Sequence, residues 1–107
     1  MVNEQIYEEL KRVAGRRGHT TYLHVGDLIN LPARNRELFD TLDEISTFEH
    51  SQGRPLLSVV VVRKDKNIPG EGFFKLASRL GRYDGHDHLR FFVEELQRAW
   101  DQWGKRG

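Results

Sequence analysis

The sequence predicts an α+β fold, and three observations carry that prediction. The run Leu56 to Val62 is apolar but for Ser58 and contains four consecutive valines, β-branched residues that suit a buried strand and make a poor helix. That run passes directly into a cationic turn, Arg63-Lys64-Asp65-Lys66-Asn67, and then into Pro69-Gly70 and an aromatic pair, Phe73-Phe74. Apolar residues recur at helical spacing before and after it. A buried strand feeding a basic hairpin is how a wing is built. The predicted architecture is therefore winged-helix-like: three helices, a strand and hairpin, then two C-terminal helices.

The first helix follows from Ile6, Leu10, Val13 and Ala14, which form one apolar stripe. Asn3 is its expected N-cap. Gly15 and Gly18 mark its end, with Arg16 and Arg17 near the negative helix terminus. A second helix is expected over Tyr22 to Asn30, capped by Thr20 or Thr21 and stopped before Pro32. Gly26 inside it costs about 1 kcal/mol relative to alanine, which points to a close approach by another element. The third helix carries Leu38, Leu42 and Ile45, flanked by Phe39 and Phe48, with Asn35 as its cap and Glu37 early in it.

After the strand and hairpin, a fourth helix is expected over Glu71 to Leu80, stopped at Gly81. Tyr83-Asp84-Gly85 reads as a turn. The fifth helix spans Asp87 to Trp103, with Asp87 as N-cap and an apolar face of Leu89, Phe92, Val93, Leu96, Trp100 and Trp103.

A chain of 107 residues corresponds to a single domain, residues 1–107, with a helical extension over about 84–104. No run is long and apolar enough to span a bilayer, and the charged N-terminus lacks a signal core. The chain has no cysteine, which excludes disulfides, thiolate metal sites and cysteine nucleophiles. A cytoplasmic location is expected.

Net charge is +1, but its distribution is uneven. Arg34 to His50 holds five acidic residues against two basic ones, whereas Arg54 to Arg82 holds seven basic against two acidic. An anionic partner would meet the hairpin. Arg63, Lys64 and Lys66 are the candidate phosphate contacts, with Lys75, Arg79 and Arg82 extending the patch, Lys75 and Arg79 lying one helical turn apart. The plain alternative is a solvated basic turn.

Thr20-Thr21-Tyr22, Ala33-Arg34 and Pro55-Leu56-Leu57-Ser58 are similar in order and spacing to the winged-helix DNA-binding domain of the alkyltransferase-like proteins, over roughly residues 18–82. The resemblance implies that Tyr22 touches the DNA backbone and that Arg34 fills the place of a base. Leu56 stands where that family's acceptor cysteine would be, so alkyl transfer is excluded. The matching recognition helix is acidic, contrary to what a phosphate-lined groove requires. The chain also resembles small bacterial proteins sharing the TTY, GRPLLSVVVV and PGEGFF pattern. That likeness covers nearly the whole chain and implies a shared fold without an assigned chemistry.

Other sites are weaker. Glu71, between glycines and beside aromatic residues, could serve as a general acid or base, but it reads better as a helix N-terminal carboxylate. His86 and His88, two apart, diverge on a helix and make poor metal ligands. Neither a metal nor another cofactor is expected. Tyr83, Phe91, Phe92, Trp100 and Trp103 form an aromatic end, either a partner patch or a lid on the core. The leading functional expectation is a non-catalytic module binding DNA or RNA through the basic hairpin. A protein–protein adaptor using the acidic third helix or the aromatic fifth helix is the alternative. A small enzyme using Glu71 or the histidines comes third.

Overall fold

A computed structural model of the chain describes residues 2–104. Five helices surround a short two-stranded parallel sheet, an α+β arrangement. The helices are α1 (Glu4–Gly15), α2 (Tyr22–Leu28), α3 (Arg36–Ser51), α4 (Glu71–Arg79) and α5 (His88–Gly104). Strand β1 (Thr20–Thr21) pairs with β2 (Val61–Val62), Thr20 opposite Val61 and Thr21 opposite Val62.

Local chemistry starts four of the helices as expected. The side chains of Asn3, Thr21 and Asn35 accept the backbone N–H of Ile6, His24 and Leu38, each satisfying a donor that the first helical turn leaves open. Asp87 caps α5 by accepting the N–H of Arg90 at 3.1 Å. Helix α2 ends at Leu28, earlier than the expected Asn30, which adopts a left-handed φ of 60° just beyond it. At the end of α1 the left-handed residue is Arg17, φ 55°, rather than a glycine. Its guanidinium reaches Asp101 of α5 at 3.1 Å. Gly26 is required by packing: a Cβ there would lie 2.3 Å from the carbonyl oxygen of Leu31.

The valine run corrects the expected strand. Leu57–Val60 form a 3₁₀ turn, and only Val61–Val62 are extended in the sheet. The reason lies in the backbone donors. The N–H of Leu56 is taken by the Glu95 carboxylate at 2.7 Å, and the N–H of Ser58 by the Ser46 hydroxyl at 2.9 Å. Side chains from α5 and α3 thus occupy positions a neighbouring strand would have used. The expectation of burial on both faces holds, because Leu56, Leu57 and Val59 to Val62 are all buried. The expected hairpin is a tight turn. The Arg63 N–H donates to the Ile68 carbonyl at 2.8 Å and Asn67 takes φ 59°. The described residues after it form no returning strand, and β2 is paired by β1 instead.

Helix α5 is rotated from the expected face. Leu89 and Val93 are 61% and 54% exposed, while Phe91, Phe92, Glu95, Leu96 and Ala99 point inward. Trp100 and Trp103 pack against the core, and the Trp100 indole N–H donates to the Gly18 carbonyl at 2.9 Å. The aromatic end therefore covers the core of the domain. Among the described residues, no helix is long and apolar enough to cross a membrane.

Candidate interaction face

The basic segment is divided by the fold. Arg54 and Arg82 serve two fully buried carboxylates. Glu49 receives Arg54 in a two-pronged pair, at 3.0 and 2.8 Å, and the Tyr7 hydroxyl at 2.6 Å. Glu95 receives Arg82 at 2.9 Å and Arg98 at 3.0 Å in addition to the Leu56 N–H. A buried charge is tolerated only when paired in this way. Sequence reasoning missed both glutamates. Their signal was present: each occupies a position on the inward stripe of its helix, where an apolar residue would be expected.

The remaining cations are spread out. Arg63 pairs with Asp65 of its own turn at 3.0 Å. Arg79 approaches Asp43 of α3 at 3.9 Å. Lys64, Lys66 and Lys75 are exposed, with no carboxylate partner among the described residues, and Arg34 is exposed on the loop before α3. Tyr22 is half-buried. Its hydroxyl accepts the Gly70 N–H at 2.9 Å and its ring meets Phe39 edge-on, so it anchors the exit of the basic turn. Burial pushes its phenol pKa up.

The acidic third helix borders an open groove of about 750 Å³ between α3, α4 and the N-terminal segment. Val2, Phe48 and Leu76 give it apolar lining, while Glu4, Asp40, Asp43 and Glu44 bring carboxylates and Arg79 a guanidinium. Asp40, Asp43, Glu44, Thr47 and Phe48 stand at i, i+3, i+4, i+7 and i+8, one face of α3. Burial raises the Asp43 pKa; Arg79 opposes the shift and Asp40 adds to it.

Glu71 does meet a histidine. Its carboxylate lies 3.3 Å from Nε2 of His88, and Nδ1 of His88 is hydrogen-bonded to the Tyr83 hydroxyl. The His88 ring stacks on Phe74 with centroids 4.0 Å apart. The Tyr83 pKa is raised, by burial and then by Asp84, Asp87 and Glu71. The nearest cleft, about 470 Å³, lies beside Tyr83 and is lined by neither Glu71 nor His88. Its arginines are paired, Arg82 with buried Glu95 and Arg90 with Glu94 of the same lining. The three side chains therefore join α4, the 80–87 loop and α5, with the Glu71 side chain 72% exposed at the outer end. Among the described residues, no group of three or more histidines and carboxylates is placed to hold a metal ion.

No family model, no curated protein and no solved structure matches this chain.

Proposed function

We propose that the protein is a non-catalytic protein-interaction module working through the α3–α4 face. The observation that carries this reading is the groove itself, where the acidic stripe of α3 and half-exposed Phe48 lie open beside Leu76. Exposed carboxylates around the half-buried Asp43, beside an accessible ring, favour a polypeptide over a polyanion. The pairing of Arg54, Arg82, Arg63 and Arg79 with carboxylates supports the same choice, because it removes much of the positive field that the sequence places around the turn. A photo-crosslinking residue at exposed Thr47 tests it in cells. The expected result is a discrete crosslinked protein, lost when Phe48→Ala is added. Crosslinks insensitive to Phe48→Ala, or none, would defeat the reading.

A second reading, a winged-helix-like nucleic-acid module, draws on a different observation. Lys64 and Lys66 stand exposed on a turn held at both ends, by the Arg63–Ile68 bond and by Tyr22 on Gly70. In that reading Lys75 and Arg34 would flank the contact. Fluorescence anisotropy with a random duplex at low and moderate salt separates the two. Counterion release makes phosphate binding fall steeply with salt. Steep loss of binding, abolished by Lys64→Ala with Lys66→Ala, would favour the nucleic-acid reading over the protein one.

A further inference from the structure

We infer that the α3–α4 groove takes a basic amphipathic helical segment of a partner polypeptide, one cation of which replaces Arg79 at Asp43 while apolar side chains cover Phe48 and Leu76. This rests on the α3–α4 face being the interaction face, and it names the occupant.

Three features point to that occupant. Carboxylates dominate the described lining, where Glu4, Asp40 and Asp43 stand with the guanidinium of Arg79, so an incoming chain with positive charge is favoured and an acidic one is repelled. The existing pair is loose. Arg79 lies 3.9 Å from Asp43 with its side chain 64% exposed, while the Asp43 side chain is 35% exposed. A long, solvated arginine at that separation is held weakly and is free to swing away. Asp43, being more enclosed, remains to be neutralised. Burial and the neighbouring Asp40 both disfavour its charged form, so a closer cation would relieve an existing electrostatic cost.

The apolar lining sets the rest of the partner. A free polyamine would satisfy the carboxylates and leave Phe48 and Leu76 wet. An amphipathic helix laid between α3 and α4 presents cations and apolar residues at alternating turns of one face. The stripe at i, i+3, i+4, i+7 and i+8 of α3 has the matching period.

The test is an NMR titration of the isotope-labelled full chain with two 18-residue probes, a leucine/lysine amphipathic peptide and its leucine/glutamate counterpart. The lysine peptide is expected to shift the amides of Asp40, Asp43, Thr47 and Leu76. Asp43→Asn should weaken it by about two- to fivefold, the range of one partly exposed ion pair. Arg79→Ala should bind at least as tightly as the parent, because a competitor has been removed. A loss with Arg79→Ala equal to that with Asp43→Asn would overturn the exchange. Preference for the glutamate peptide would overturn the charge assignment while leaving the groove as an interaction face. No groove shift with either peptide, together with no Phe48-sensitive crosslink at Thr47, would remove both.

Discussion

The carboxylate of Glu95, on α5, accepts the backbone N–H of Leu56 at 2.7 Å and is fully buried. One side chain thus supplies an acceptor to the start of the 3₁₀ turn and counter-charge to Arg82 and Arg98. Glu95→Ala would strand an amide and leave Arg82 without its carboxylate. The expected loss is about 3–5 kcal/mol, the cost of breaking a buried pair from one side. Glu95→Gln keeps an acceptor for Leu56 and should cost less, about 1–3 kcal/mol. Urea melts of the two variants check this. Equal, small losses would mean that the Glu95 network contributes little.

Gly26 and Gly72 make a matched pair of substitutions. Alanine at Gly26 would drive Cβ to 2.3 Å from a backbone oxygen, whereas at Gly72, inside α4, no atom lies within 4 Å. Gly26→Ala should therefore destabilise by about 1–3 kcal/mol through overpacking, despite the better helix propensity of alanine. Gly72→Ala should be neutral or stabilising by up to about 1 kcal/mol. Thermal melts that rank the two variants the other way would contradict the packing of α2 against Leu31.

These sites explain what was legible in the sequence. The caps at Asn3, Thr21 and Asn35 depend on residues three positions away, and the stripes of α1 and α3 on residues within a few turns. Such information is local. The valine run is decided by Ser46 and Glu95, which are 12 and 39 residues from their partners, and nothing in the run itself specifies them. The apolar spacing of α5 passes over Glu95, which is buried, and takes in Leu89 and Val93, which are exposed. The basic segment was read as a count of charges, while the fold decides the pairing. Arg54 lies five residues after Glu49 and could have raised suspicion; Arg79 and Asp43 are brought together only by helix packing. The α3 stripe was visible as acidic, but its groove needs α4 opposite it.

Alkaline stability tests the other buried carboxylate. The Tyr7 phenol is pushed up to about 12, first by burial and then by its hydrogen bond to Glu49 and that group's charge. A phenol in the unfolded chain ionises near its ordinary value of about 10. Between these values the unfolded state binds fewer protons than the folded one, so stability falls as pH rises. The contribution is fully present below pH ~10 and lost by about pH 12. Tyr7→Phe should flatten this part of the stability profile, although it also costs a hydrogen bond at neutral pH. Chemical denaturation across this pH range measures the slope. An unchanged slope in the variant would show that Tyr7 is not the group responsible.

Helix α5 should prove inseparable from the domain. It brings Phe91, Phe92, Leu96 and Ala99 into the core, with Trp100 and Trp103 packed against it. Each large side chain contributes roughly 1.5–3 kcal/mol on burial, before the entropy of ordering it. Together they rival the whole net stability of a small domain, about 5–15 kcal/mol. Truncation after Asp84 would also remove Glu95, so Arg82 would lose its carboxylate and the Leu56 N–H its acceptor. The apolar loss weakens the core and the polar loss unfastens the turn at its centre. The truncated chain should therefore be insoluble, or compact without fixed side-chain packing. In the intact chain, hydrogen exchange should find the amides of Phe92 and Leu96 among the slowest, opening only with global unfolding. A truncated protein that remains soluble, monomeric and cooperatively folded would instead make α5 an appended arm. Its exposed Leu89 and Val93 would then become the surface to probe for a partner.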